Sequence, residues 1–471
     1  MLENLQPNRV FHYFEELTKI PRESGNEQAV SDYLYHLGKE LGYETIQDEA
    51  NNIIIRKPAH PDYMDHEPII IQGHMDMVAE KAEGIKHDFA KDPIPLAIEG
   101  DWVKTKGTTL GADDGIAVAM GLAIIEDKEA KHPALELLVT TDEETTMSGA
   151  RAVKKENIRG KKLINIDAEE EGILLAGCSG GHNLIGKQKL KYQARQLKNT
   201  FELTINNMLG GHSGMEIHQK RGNSIKFALQ AMNLIKEVSD YELVSIVGGS
   251  KHNAIPRDAR VVFASDEEDY SIDFTNLIAK YPLDKDMQVT IKKIDNIDEV
   301  LSAQSQENIE QFIAEVPHGV YSMMEEYPDI VECSNNLAIF DIQDRQLKVT
   351  ISLRSSNPES FDKHTENVTK IYQKNGFDVI EADYYQAWEF AKESSLRETA
   401  LEAFKETFNK EMKVEVVHAA LEPAVFTDTF PEMEMIAVGP TMKDVHSPNE
   451  RLSISSTERT FKFINKLLEK L

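Results

Sequence analysis

A chain of 471 residues is too long for one ordinary hydrophobic core, and its 41% hydrophobic content is enough to build two or three domain-sized units. The formal net charge of -28 would repel a phosphate backbone or an anionic bilayer, so no nucleic acid and no membrane is expected as a partner. Only Cys178 and Cys333 are present, without metal-ligand spacing; with no signal-peptide pattern and no membrane-length apolar stretch, this fits a reducing cytoplasm and rules out a disulfide framework.

In chain order, Val10, Phe11, Phe14 and Leu17 fall on one helical face. Ser24 with Glu27 reads as a capping box opening a second helix, whose apolar positions include Val30, Leu34 and Leu37. TIQDEANNIIIRK predicts a hairpin. PIIIQG, LELLVTT and KLINID are unbroken apolar runs, the pattern of strands covered on both faces, and GIAVAMGLAIIED between two of them is an apolar helix. The middle of the chain alternates apolar and polar residues, as a sheet with one wet face does. There, ELVSIVGGSKHNAIPRDARVVF, a helical SIDFTNLIAKY and QVTIKKI match in pattern a later series. That series is VECSNNLAIFDIQDRQLKVTISLRSS, a helix around FDKHTENVTKIYQKNG, and DVIEADYY. The two read as copies of one strand–strand–helix–strand unit. The last residues return to α/β, with Ser455 and Glu458 capping a final helix. The predicted fold class is α/β. A mixed central sheet flanked by helices is built from residues 1–183 and 391–471, and an inserted α+β domain of two repeated units spans 184–390.

Polar clusters sit where the apolar strands stop. TDEETTMSG sets Glu143 and Glu144 side by side after a core strand. QGHMDMV places His74 and Asp76 on one face of an extended chain. LGADDGIA puts Asp113 and Asp114 at the mouth of a helix, INIDAEEEG puts Asp167 at another strand end, and VGPTMKDVHSPNE puts His446 in a loop after a strand. Singly, each has an ordinary reading as a solvated turn, a helix cap or a hydrogen-bonded core histidine. Jointly they form two histidines and several carboxylates at strand ends, where open α/β sheets gather function. That inventory suits zinc ligands, and it holds too many carboxylates for one structural ion. It matches two metals sharing a bridging carboxylate, about 3.5–4 Å apart.

The series H-x-D, G-A-D-D-G, D-E-E, a strand-end Asp and a late His resembles the dinuclear zinc exopeptidases, the family of the aminoacylases, carboxypeptidase G and succinyl-diaminopimelate desuccinylase. GGHSGMEIH, KHNAIP and VHAALEP look most like its aminoacyl-histidine (Xaa-His) dipeptidase branch. The resemblance implies a catalytic domain with an inserted lid and two divalent ions, Zn2+ with Co2+ or Mn2+ as substitutes. Asp113 would bridge the ions, His74 and Asp167 would complete one site, and Glu144 and His446 the other. Asp76 would orient His74, and Glu143 would be the general base. Asp114 would shape its loop. In the lid, His212 would donate to the oxyanion, and Asn253 would bind substrate. Arg354 would hold the substrate carboxylate, unless it is a surface residue on a wet sheet face. Glu422 would hold the substrate ammonium, although Pro423-Ala424 stand where that branch has Cys-Gly. His218 and His252 read as surface histidines. An Asp at position 167 points to a free-amine substrate, so the implied reaction is hydrolysis of unblocked dipeptides such as β-alanyl-histidine. The rivals are a tripeptidase, an N-acyl-amino-acid deacylase, or a non-catalytic homologue that binds metal or peptide. A homodimer is compatible with the family, in which two-chain relatives supply the His212 equivalent across subunits.

Overall fold

The computed structural model describes every residue of the chain except 326, 327 and 329. Two compact units divide it: Met1–Gly177, Trp388–Val416 and Leu421–Leu471 form the first, Cys178–Ala387 and Val417–Ala420 the second. The expected insertion at 184–390 thus begins six residues early, because the strand Gly180–Lys189 pairs throughout with strands of the second unit.

In the first unit the unbroken apolar runs become the centre of an eight-stranded sheet. Its order is Glu44–Gln47, Ile53–Lys57, Leu135–Thr140, Ile69–His74, Lys162–Asn165, Glu434–Ala437, Ile173–Cys178 and Lys413–Val417. Ile69–His74 runs parallel to both of its neighbours, and Lys162–Asn165 runs parallel to Glu434–Ala437. The predicted hairpin supplies an antiparallel edge. Every residue of Ile69–His74 and of Leu135–Thr140 is buried. They pack into one core with the helices Asn8–Leu17, Ala112–Glu126, Ser395–Phe408 and Ile454–Lys470. Helix Ala112–Glu126 is buried from Ala112 to Ile125, which explains an apolar composition without a polar face. A Cβ at Gly73 would lie 2.7 Å from that of Ala117 and overlap the Asp114 carboxylate, so glycine there lets helix and strand close up beside the site.

Two predicted caps are corrected. The second helix spans Gln28–Glu40 with Glu27 as N-cap and no side-chain cap bond. The Ser24 hydroxyl instead donates to Asp76 at 2.8 Å, and Glu27 accepts from the Gly25 amide at 2.8 Å. The last helix, Ile454–Lys470, is capped by Ser453, which accepts from the Ser456 amide at 3.2 Å. Ser455 lies inside it and donates to Asp101 at 2.8 Å. In both cases a hydroxyl within reach of a tertiary carboxylate forgoes the local turn.

The second unit is built on a sheet in the order Gln288–Ile294, Asn199–Asn206, Ala259–Ser265, Tyr241–Gly248, Val331–Gln343, Gln346–Ser355, Gly180–Lys189 and Asp378–Tyr385. The predicted repeat is present and larger than expected. One copy is strand Asn199–Asn206, helix Ser224–Val238, strands Tyr241–Gly248 and Ala259–Ser265, helix Thr275–Ile278 and strand Gln288–Ile294. The other is strand Gly180–Lys189, helix Ala303–Glu315, strands Val331–Gln343 and Gln346–Ser355, helix Pro358–Lys374 and strand Asp378–Tyr385. The first copy is inserted whole after the opening strand of the second. Their strand orders mirror each other about the contact of Gly248 with Phe340. In the second copy the opening strand is separated from the rest of its repeat by the whole first copy, which hides the full unit from sequence reading. Among the described residues no helix is long and apolar enough to cross a membrane.

Candidate metal centre

Three parallel strands deliver most of the cluster at their carboxyl ends. His74 ends Ile69–His74, Glu143 and Glu144 follow Leu135–Thr140, and Asp167 follows Lys162–Asn165. Asp113 opens helix Ala112–Glu126. His446 comes from the turn between the short strands Met442–Lys443 and Arg451–Ser453, which pair with each other and anchor on Trp102–Thr105.

The two carboxylate oxygens of Asp113 face different histidines. Oδ1 is 3.2 Å from His74 Nε2, and Oδ2 is 3.0 Å from His446 Nε2. Around His74 Nε2 lie Asp167 Oδ1 and Glu143 Oε2, each at 3.9 Å. Glu144 Oε2 lies 2.9 Å from His446 Nε2. Two groups, His74/Asp113/Glu144 and His74/Asp114/Asp167, each have their ligand atoms within 4.8 Å of one another. Asp114 is fully buried; its Oδ2 accepts from the His74 amide at 3.2 Å.

The adjacent glutamates resolve once the whole turn is seen. Asp142, in the left-handed region at φ 58°, knots the turn by accepting from Thr145, Thr146 and Ser148 hydroxyls. Glu143 then turns to His74 and Glu144 to His446, while both of their amides donate to Asp76, at 3.1 and 3.2 Å. Asp76 also lies 3.3 Å from His74 Nδ1. Burial opposes its charge, yet the His74 ring, the Ser24 hydroxyl and the Glu143 amide hold its pKa at about 2. The Asp76 carboxylate thus lies against His74 Nδ1, while His74 Nε2 faces the carboxylates of Asp113, Asp167 and Glu143.

The electrostatics fit bound cations. Burial, with repulsion from neighbouring carboxylates, pushes Glu143, Glu144 and Asp167 above the usual range. Although burial opposes the charged imidazole, Asp113 and Glu144 hold His446 at about 11. Carboxylates massed in a buried pocket are costly without positive charge, and a dication inverts that balance. The nitrogen and oxygen donors, with Asp113 addressing both halves, therefore fit two divalent ions.

Beneath the pocket runs a polar layer that sequence reading missed. Asn165 donates to Gln72 at 2.7 Å, and Gln72 and Thr140 both donate to Glu422 Oε2. Glu422 is 0% exposed and burial pushes its pKa up to about 7. Its other oxygen, Oε1, is buried without a hydrogen-bond partner among the described residues. Glu450 and Arg22, both buried, were also not foreseen, because nothing local in the sequence distinguishes them from surface charges.

The remaining candidates belong to the second unit. Gly211–His212 pairs with Ala254–Ile255, and the Ser213 amide donates to the Asn253 carbonyl at 2.8 Å, so the GGHSG and HNAIP segments form one structure. His212 Nδ1 accepts from the amides of Gly214 and Met215, at 3.2 and 3.1 Å. The proton must then sit on Nε2, which makes that nitrogen a donor. Arg354 is not the surface residue that the wet-face alternative allowed. It is 7% exposed, donates to the Tyr385 hydroxyl at 2.7 Å, and keeps Nε buried without a hydrogen-bond partner. His218 and His252 are exposed.

A family model, peptidase family M20/M25/M40, matches residues 70–470. Cytosol non-specific dipeptidase of Escherichia coli (strain K12) is 32% identical over 479 residues, covering 100% of this chain and 99% of that protein. The crystal structure of aminoacylhistidine dipeptidase from Vibrio alginolyticus superposes with a TM-score of 0.86 at 30% identity, covering 100% of this chain and 98% of that one. Aminopeptidase PepT from Bacillus cereus shares the fold, with a TM-score of 0.58 at 15% identity over 99% of both chains. With the ligand set gathered at the strand ends and the match running over nearly the whole length, the chain belongs to peptidase family M20/M25/M40 and is a metallopeptidase.

Proposed function

We propose that this protein is a cytoplasmic dipeptidase that hydrolyses unblocked dipeptides, Xaa-His substrates such as β-alanyl-histidine among them, with two zinc ions. The observation that carries the reading is Asp113, whose two oxygens address His74 on one side and His446 on the other. The relatives named as dipeptidases support the substrate class. The buried thiols Cys178 and Cys333 accord with a reducing compartment.

In this reading Asp113 would face both ions, His74 and Asp167 would hold one, and Glu144 and His446 would hold the other. Bound there, the ions supply Lewis acidity and lower the pKa of water. Glu143 takes the proton of the attacking water and returns it to the departing amine. Burial and the neighbouring carboxylates raise its pKa, and positive charge beside it would lower it toward the range a base needs. Asp76 keeps His74 oriented. His212 donates Nε2–H to the oxyanion, the Asn253 side-chain amide binds substrate, and the Arg354 guanidinium pairs with the substrate carboxylate. Glu422, whose Oε1 is buried without a hydrogen-bond partner, holds the substrate ammonium. Hydrolysis of Xaa-His, Xaa-Xaa, tripeptide and acetyl-Xaa panels, with and without added zinc, tests the assignment. Cleavage confined to acetylated or tripeptide substrates would overturn it.

A further inference from the structure

His446 is 50% exposed in its side chain, so packing does not hold it in place. Its turn closes on itself through the Arg451–Asp444 ion pair, the Ser447 hydroxyl on the Asp444 carbonyl at 2.7 Å, and the Glu450 amide on the Ser447 carbonyl at 3.0 Å. The strands flanking the turn anchor it on Trp102–Thr105, and Glu450, which is 2% exposed, ties it to the loop that carries Asp113. Its Oε2 accepts the amides of Leu110 and Gly111, at 2.7 and 3.1 Å. Its Oε1 accepts those of Ala112 and Asp113, at 2.8 and 3.4 Å.

The same loop is gripped from its carbonyl side by Arg22, which is also buried. One nitrogen of its guanidinium donates to the Gly111 carbonyl, and the other donates to the carbonyls of Met75 and Asp76 at 2.8 and 3.1 Å. The loop pays for this with its backbone: Gly111 sits at φ 67°, and a Cβ there would come within 2.5 Å of Arg22 and 2.7 Å of the Met77 sulfur. One buried carboxylate and one buried guanidinium therefore tie together the segments carrying His74 and Asp76, Asp113, and His446.

A carboxylate at a helix start is ordinarily a cap, and a cap stabilises the helix alone. Two facts set Glu450 apart. It arrives from 337 residues away, from the turn that carries His446, and one of its four donors is the amide of Asp113 itself. Moving Glu450 moves His446 and Asp113 relative to each other.

We infer that Glu450 is a positioning residue that sets the separation of Asp113 and His446, and so the affinity for the ion those two residues share with Glu144. The inference rests on the two-metal reading above. Glu450→Gln is nearly isosteric but presents an amide NH2 to two of the four backbone donors, whichever way it is turned. Loss of such support typically weakens metal binding about 10–100-fold. Glu136→Gln is the control: Glu136 is likewise buried and accepts the amides of Arg159 and Gly160, at 2.8 and 2.9 Å, but from the opposite end of its strand.

The test titrates metal-free protein with zinc against a chromophoric chelator and records thermal unfolding. Wild type should bind two ions. Glu450→Gln should bind one as tightly and the other about 10–100-fold more weakly, with hydrolysis recovering at raised zinc. Glu136→Gln should unfold at a lower temperature yet bind both ions like wild type. Wild-type affinity for both ions in Glu450→Gln would overturn the inference. If that variant does not fold, Glu450→Asp, its carboxylate set back by one methylene, decides the matter by the same titration, and unweakened binding there would again overturn it. Fewer than two ions in the wild type would sink the two-metal reading itself.

Discussion

Replacing Asp76 by Asn keeps the volume and removes the charge at a residue placed to bind no metal. Asp76 Oδ1 accepts the Glu143 amide and faces His74 Nδ1, and Oδ2 accepts the Glu144 amide and the Ser24 hydroxyl. An asparagine has one oxygen for these four donors. Turned toward Glu144 and Ser24, its NH2 meets the Glu143 amide and donates to His74 Nδ1. The imidazole proton is then forced onto Nε2, the nitrogen needed for metal. Turned the other way, His74 keeps its tautomer, but the Glu144 amide and Ser24 lose their acceptor. A buried donor left unpaired costs about 1–3 kcal/mol. Zinc affinity should fall about 10–100-fold, or about 1.4–2.8 kcal/mol, and kcat/KM at limiting zinc should fall with it. Linkage gives a second readout. The Asp76 pKa is depressed from 3.8 to about 2 in the fold, so it stabilises the protein above about pH 4 and loses that contribution as pH falls toward about 2. The difference is worth about 2 kcal/mol. In metal-free protein, the gap in urea unfolding free energy between wild type and variant should be flat above about pH 4 and narrow below it. A variant with wild-type zinc affinity and a gap independent of pH would refute the reasoning.

The adjacent glutamates should separate by metal content: Glu143→Ala abolishes turnover with two ions bound, whereas Glu144→Ala loses metal as well, as elemental analysis can show. His212→Ala should retain its metal and lose roughly two to three orders of magnitude in kcat, about 3–4 kcal/mol, as expected for a missing oxyanion donor. A near-normal kcat would leave His212 as a turn residue.

The ligand cluster was legible because its members fall where unbroken apolar runs stop, a one-dimensional sign of a strand's end in an open sheet. The inserted unit and its repeat were legible from the change to two-residue alternation. What escaped depends on partners distant in the chain. Ser24 and Glu27 have the spacing of a capping box, but Asp76, 52 residues away, takes the Ser24 hydroxyl. Glu450 resembles any acidic loop residue until four amides 337 to 340 positions earlier converge on it. Arg354 sits in a strand whose neighbours alternate, yet every residue from Val349 to Ser355 is buried, so alternation there did not mark a wet face. Nothing near Glu422 in the sequence shows that Gln72 and Thr140, 350 and 282 positions earlier, donate to it in a buried layer.

The central claim is that peptide hydrolysis depends on two metal ions, which His74, Asp113, Glu144, Asp167 and His446 would hold. It is tested most directly by titrating verified metal-free protein with zinc while following hydrolysis of β-alanyl-histidine and a panel of unblocked dipeptides. The account predicts no turnover without metal and activity that rises to a plateau at two equivalents per chain. Undiminished hydrolysis in the metal-free protein would contradict it.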